Sequence, residues 1–251
     1  MNSRALAAAV LMAFLGTVAT APSVRALSVF TELSPPSAQM ENGALTGLGV
    51  DIVREIQKRT GDATPIELLP WARAYAMAVA RPDIVLFATT RTPERAPLFH
   101  WIGPIMRLKW AFYAPAGKMK PLASLDEAKT VGSIGTYNGD ARERFLLDHG
   151  FTNLDSANTP VANVKKLLAG RLDLIASTDM GIRFGTQRAC LKPGQLENVY
   201  TFQAVDLYIA FSKGSDEAVV TAWNEALADM KADGTFQAIY SRWLPGEAVP
   251  E

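Results

Sequence analysis

Asp83-Ile-Val-Leu-Phe-Ala-Thr-Thr-Arg-Thr-Pro-Glu-Arg95 is the stretch on which the reading of this chain turns. Ile84–Phe87 is a short unbroken apolar run, the pattern of a buried strand. It passes into Ala88, Thr89 and Thr90, and five positions after Thr90 comes Arg95. Hydroxyls and free backbone N–H groups beside a guanidinium suit a carboxylate, because arginine offers a planar two-pronged donor that matches two oxygens. The plain alternative for Arg95 is a surface ion pair with Glu94 or another neighbour.

Upstream of this strand the elements alternate. Leu27–Thr31 reads as a strand ended by Pro35-Pro36, and Gly47–Gly61 as an amphipathic helix with Val50, Ile52, Val53 and Ile56 on one face. Ile66–Leu69 reads as a second strand and Trp71–Ala80 as a second helix. The resulting βαβαβ order predicts a parallel sheet with helices on its faces. Downstream a similar set recurs, with strand Thr130–Ile134, helices Asp140–His149 and Val161–Ala169, and strand Leu172–Ala176. Two such units in one α/β chain predict two lobes. Leu108–Ala114 and Leu207–Ser212 are apolar strand-like runs between and after them, read as two crossings of one hinge. In the tail, Val219, Val220, Trp223, Leu227 and Met230 share a helical face that is expected to return to the first lobe. Ligands of open α/β sheets bind beyond the carboxyl ends of the strands, so facing lobes would hold one ligand between them.

Composition excludes several functions. The 251 residues carry 25 Lys+Arg against 25 Asp+Glu, which leaves no basic field for a phosphate backbone and makes nucleic acid an unexpected partner. A single cysteine, Cys190, forms no intramolecular disulfide, and His100 and His149 have no acidic or thiol neighbours at ligand spacing, so neither metal nor cofactor is expected. Gly-x-Ser-x-Gly, Walker, His-Glu-x-x-His and Cys-x-x-Cys motifs are all missing. Met1-Asn-Ser-Arg4 followed by the apolar run Ala5–Ala19 has the form of a signal peptide, the run being short of the ~20 residues that span a bilayer. Between cleavage after Ala21, which would leave Pro22 first, and after Ala26, the second is favoured. The mature chain from Leu27 then has a net charge of −2 and is expected to be soluble in a periplasm.

The same carboxylate-suited segment, taken with Gly47-Leu-Gly-Val-Asp51, Gly170-Arg-Leu-Asp173, Tyr208-Ile-Ala-Phe-Ser-Lys-Gly214 and Asp233-Gly-Thr-Phe-Gln-Ala-Ile-Tyr-Ser-Arg-Trp243, closely resembles the family 3 extracellular solute-binding proteins of ABC transporters. The resemblance runs colinearly through the whole mature chain. It is nearest a branch marked by Thr31-Glu-Leu-Ser-Pro-Pro36, Pro70-Trp-Ala-Arg-Ala74 and Phe99-His-Trp-Ile-Gly-Pro104. It implies a two-lobed type II periplasmic-binding-protein fold joined by a two-strand hinge, with lobe 1 over residues 27–112 and 208–251 and lobe 2 over 113–207. It also implies a monomer that holds an amino acid or similar small carboxylate and delivers it to an inner-membrane ABC permease. An exported enzyme of the same fold, resembling a cyclohexadienyl dehydratase, and a ligand-sensing accessory protein remain the alternatives.

Carried over by position, the resemblance makes Arg95 the carboxylate clamp, with Thr90 donating its hydroxyl and N–H and Ala88 offering a carbonyl to an ammonium group. Trp71 falls where an aromatic stacks on the ligand's side chain, or is simply core. Arg73 points either into the cleft or to solvent. Gly135-Thr-Tyr-Asn-Gly-Asp140 resembles the strand-to-helix turn whose N–H groups meet a carboxylate. Asp140 there is a ligand contact or a helix N-cap, and Asn138 and Tyr137 are weaker candidates. The family's ammonium-binding acid aligns with Thr178, with Asp179 one residue late, so either Asp179 serves after a small shift or the ligand has no ammonium group there. Glu32, at the end of the first strand, is a further possible acidic partner.

Overall fold

A computed structural model describes residues 27–192 and 194–250. The expected signal peptide and its cleavage site fall in residues 1–26, outside the described part. Among the described residues no helix is long and apolar enough to cross a membrane.

The first strand, β1 (Ser28–Thr31), pairs in parallel with β4 (Ile66–Leu68) and β5 (Ile84–Thr90). Helices α1 (Leu48–Thr60) and α2 (Trp71–Ala80) make the crossovers, as the alternation predicts. Residue spacing sets their faces: Leu48, Val50, Ile52, Val53 and Ile56 of α1 are all buried. Gly47 starts α1 at φ 138°, where a Cβ would lie 2.2 Å from the Ser37 carbonyl oxygen, so backbone approach as well as torsion demands glycine. Gly61 ends it in the left-handed region, its N–H bonded to the Gln57 carbonyl. Between β1 and α1 lies a small hairpin, β2 (Gln39–Glu41) and β3 (Ala44–Thr46), turned at Asn42-Gly43, both with positive φ.

The parallel strands are part of one mixed sheet of eight, in the order β4-β1-β5-β10-β6-β9-β7-β8. Strands β6 (Phe99–Pro115) and β10 (Leu196–Ser212) are 17 residues each and pair antiparallel from Phe99↔Ser212 to Pro115↔Leu196. Of the two predicted hinge runs, Leu108–Ala114 lies inside β6 and Leu207–Ser212 is the end of β10. Their Phe99–Met106 and Leu207–Ser212 ends lie in the first lobe's core, while Phe112, Ala114 and Val199 belong to a separate cluster in the second. Three register shifts interrupt the ladder. Shifts of this kind twist and bend a strand pair locally.

The second lobe holds β7 (Ile134–Tyr137), β8 (Leu154–Ala157) and β9 (Leu174–Ser177), with α3 (Ala141–Asp148), α4 (Pro160–Leu168) and α5 (Asp179–Arg188). The strand expected at Thr130–Ile134 begins only at Ile134. Glu127–Thr130 instead form a 3-10 turn closed by the Thr130 hydroxyl on the Glu127 carbonyl at 2.8 Å. Strand β8 and helix α5 escaped the sequence reading for different reasons. β8 is an edge strand with one fully buried residue, and α5 is interrupted by Gly181 and Gly185. Gly185 is there because a Cβ would meet the Val164 side chain at 2.9 Å, so α4 and α5 pack closely only without one.

The tail forms α6 (Glu217–Ala232) and α7 (Thr235–Trp243) and places Trp223, Leu227, Met230, Phe236 and Tyr240 in the same core as Val29 and Val53. Trp223 meets Phe211 edge-on at 5.1 Å. Burying a ring of this size stabilises the lobe by ~3–5 kcal/mol against truncation to alanine. Arg59 to Asp233 at 2.8 Å and the Trp243 indole to Asp51 at 2.6 Å tie the tail to α1.

Candidate functional site

A cleft runs between the two lobes and opens to solvent at its mouth. The first lobe contributes the loop after β1 with Glu32, the first turn of α2 with Trp71, and the end of β5 with Ala88, Thr90 and then Arg95. The second contributes Tyr137 and Asp140 from the turn after β7, Arg142 from α3, and Ser177 and Thr178 from the end of β9. Glu32, Trp71, Ala88, Thr90, Arg95, Asp140 and Thr178 therefore come together in the cleft.

Three candidates do not. Arg73 is exposed, because a helix that turns Trp71 and Ala74 inward carries position 73 to the opposite face. Asn138 is exposed and donates to the Asn158 side chain at 3.3 Å. Asp179 is the first residue of α5 and its carboxylate accepts the Tyr113 hydroxyl at 2.5 Å, behind the cleft wall. Thr178, its neighbour, caps α5 through Oγ1 to the Gly181 N–H at 3.0 Å. The shift that would bring Asp179 to an ammonium group has not occurred.

Arg95 is 8% exposed and has no ion pair among the described residues, so it is not the surface pair its sequence neighbours allowed. Its guanidinium lies 5.1 Å from the Trp71 ring and 4.9 Å from that of Tyr75, and the two rings stack at 5.6 Å. Such contacts hold a desolvated cation without neutralising it. Arg95 Nη2 donates to the Gly139 carbonyl at 3.2 Å, and Trp71 Nε1 donates to the same oxygen at 3.0 Å. Two donors of the first lobe thus grip one carbonyl of the second. Ala88 sits at φ 62°, where β5 slips a residue against β10 between Tyr208 and Ile209. A non-glycine residue there is strained, as bulges beside binding sites often are.

Asp140 takes both roles left open by the sequence. It caps α3 by accepting the Arg142 N–H at 2.8 Å, and its two oxygens receive Arg142 Nε at 2.6 Å and Nη2 at 3.0 Å while it lines the cleft. Burial opposes its charge, but the Arg142 guanidinium and its hydrogen bonds outweigh that and hold the carboxyl below the usual range. Glu32 shows the reverse balance. Burial, reinforced by the Asp140 charge, pushes it up to about 8 against the pull of Arg142, Tyr137 and Arg95. Burial and the Glu32 charge in turn push the Tyr137 phenol up.

The sequence reading missed Arg142, Tyr75 and Glu143. Asp140-x-Arg142 at a helix start was the signal for the first. Tyr75, four residues after Trp71, was on the same helix face. Glu143 receives the Thr136 hydroxyl at 2.9 Å and the Gly139 N–H at 2.9 Å, which fixes the turn that presents the Gly139 carbonyl. Among the described residues no group of His, Cys, Asp and Glu could hold a metal ion.

The chain is similar over most of its length to a protein of Neisseria gonorrhoeae called "Probable histidine-binding protein", with 24% identity over 92% of this chain and 89% of the relative. It is 23% identical to the L-cystine-binding protein TcyJ of Escherichia coli K12, over 86% of this chain and 80% of the relative. Among solved structures, a histidine kinase sensor domain with similarity to periplasmic binding proteins superposes with a TM-score of 0.80 at 21% identity, covering 90% of this chain and 98% of that one. The architecture is the two-lobed α/β fold of type II periplasmic binding proteins. Residues 27–246 match the bacterial extracellular solute-binding proteins, family 3, and the chain belongs to that family.

Proposed function

We propose that the chain binds an amino acid or similar small carboxylate in the cleft, in a periplasm, and hands it to an inner-membrane ABC permease. The observation that carries this reading is Arg95, a buried guanidinium that lines the cleft and makes no ion pair among the described residues, the Asp140 carboxylate whose charge it feels being bonded to Arg142. A buried charge without its partner is costly, and a ligand carboxylate removes that cost. Thr90 adds a hydroxyl and N–H beside it. The relatives' names, histidine- and cystine-binding, support an amino acid as the cargo. Binding without turnover is further supported by two of the three carboxylates the sequence offered for acid–base work: Asp140 is tied to Arg142, and Asp179 lies outside the cleft on the Tyr113 hydroxyl. In this reading a single chain acts, and its lobes close about the stretch of β6 and β10 between the two cores, where Arg107 pairs with Asp206 and Ala111 with Thr201.

The test is to strip carried-over ligand by unfolding, refold, and follow thermal stability against amino acids, organic acids and small aromatic acids. A compound at 100 times its Kd adds ~2.7 kcal/mol. Arg95→Ala is expected to weaken the best compound by ~2–4 kcal/mol. Unchanged affinity in that variant removes the clamp, silence across the panel removes the reading, and appearance of product would move it to an enzyme.

A further inference from the structure

The cleft lining mixes charged, polar and apolar side chains. Glu32 and Asp140 are the carboxyl side chains that line it, and Arg95 and Arg142 the guanidinium ones. Asp140 and Arg142 are spent on each other through bonds of 2.6 and 3.0 Å, and the N-terminus of α3 is filled by the same Asp140 side chain. What is left over is one cation and one acid, Arg95 and Glu32, both from the first lobe and neither ion-paired among the described residues. The rest of the lining is uncharged: Trp110, Ile175, Phe184 and Leu207 stand beside Asn163 and Thr178, and Asn163 Oδ1 is buried without a hydrogen-bond partner among the described residues.

We infer that the cleft takes an amino acid with an uncharged side chain, its carboxylate on Arg95, its ammonium on Glu32 and its side chain against Trp110, Ile175 and Leu207. This rests on the small-carboxylate reading above and narrows it. One ligand charge of each sign matches the two unspent groups. A second carboxylate, as in glutamate, would meet Glu32 or the uncharged lining. A side-chain cation, as in arginine, would be buried among isoleucine, leucine and tryptophan without a counter-charge. The Asp179 carboxylate, which sequence position alone put near the ammonium, is engaged by Tyr113. Because Arg95 and Glu32 share a lobe, the zwitterion docks on the first lobe and the second closes over it with Ile175, Ile182 and Tyr137.

Proton release accompanies this. The charged and titratable groups that face Glu32 are Asp140, Arg142, Tyr137 and Arg95, and with burial they leave it protonated up to about pH 8 in the empty closed cleft. An ammonium group beside it favours the carboxylate, so binding below that pH expels a proton and affinity rises with pH until Glu32 is ionised in the free protein.

The experiment is calorimetric titration of the refolded, ligand-free chain with leucine, phenylalanine, arginine, glutamate and 4-methylpentanoate, which is leucine without its ammonium group. Leucine or phenylalanine is expected to bind at least about tenfold tighter than the other three. Buffers of unlike ionisation enthalpy should show about one proton released at pH 7, and affinity should rise up to about tenfold per pH unit below pH 8. Glu32→Gln is expected to shrink the gap between leucine and 4-methylpentanoate by at least about tenfold. Arginine or glutamate as the tightest ligand, equal affinity for leucine and 4-methylpentanoate, or no proton release would overturn the inference and leave the small-carboxylate reading standing. Failure of every amino acid and organic acid to bind would overturn both. Should Glu32→Gln not fold, the proton count in the unaltered chain decides alone.

Discussion

Trp71→Phe tests whether the shared grip on Gly139 holds the lobes together. The indole Nε1 lies 3.0 Å from the Gly139 oxygen, and Arg95 Nη2 reaches the same atom at 3.2 Å. Phenylalanine keeps an aromatic face for the Arg95 guanidinium and for the Tyr75 stack and removes the N–H. Arg95 still satisfies the carbonyl, so no buried acceptor is stranded and the loss is that of one neutral hydrogen bond, about 1 kcal/mol. Applied to the open–closed equilibrium, that lowers the closed-to-open ratio about fivefold. Val79 on α2 and Leu147 on α3 are both exposed and lie on opposite lobes, so cysteines there accept spin labels once the exposed Cys190 is replaced by serine. Electron-electron distance measurements on the empty protein should show the longer population growing in Trp71→Phe. A distance distribution identical to the parent's would refute the latch.

Three further outcomes follow from the same geometry. Glu32 keeps its proton in the closed cleft up to about pH 8, whereas in the unfolded chain it ionises from its ordinary 4.5. Its contribution to stability is therefore full below pH 4.5 and is lost as pH rises through about 8, by at most about 1.4 kcal/mol per unit, with lobe opening, which rehydrates the carboxylate, setting the limit. Denaturant titrations between pH 5 and 9 should show Glu32→Gln gaining on the parent, and parallel curves would refute this. Asp140→Ala removes a helix cap worth ~1 kcal/mol and strands the Arg142 guanidinium, a further ~3–5 kcal/mol, so the variant should be severely destabilised and Asp140→Ala with Arg142→Met largely restored. Strictly additive losses would show the two side chains are not a pair. Gly47→Ala places a methyl group 2.2 Å from the Ser37 oxygen at φ 138°, and should cost at least ~2 kcal/mol by chemical denaturation.

Where signals were local, the chain could be read directly. The helix over Trp71–Ala80 was bounded correctly, and Gly61 marked the end of α1. Strand β8 and helix α5 were not legible, since neither has a clean period: one is a polar edge strand, the other a helix whose glycines serve packing against α4. The length of β6 and β10 was also hidden, because each strand changes lobe, and with it the face it buries, along its course.

The sequence by itself determined the two α/β units and the strand that ends in Thr90 ahead of Arg95, because strand and helix periods are properties of neighbouring residues. The tertiary structure alone decided what those groups are free to do. Arg95 became an unpaired cation only when Trp71, Tyr75 and Gly139 closed round it. Asp140 was spent on Arg142 and Asp179 on Tyr113, while burial and the Asp140 charge raised the Glu32 pKa. Charge state and partnership depend on burial and on groups brought together from distant parts of the chain, and no local pattern records them.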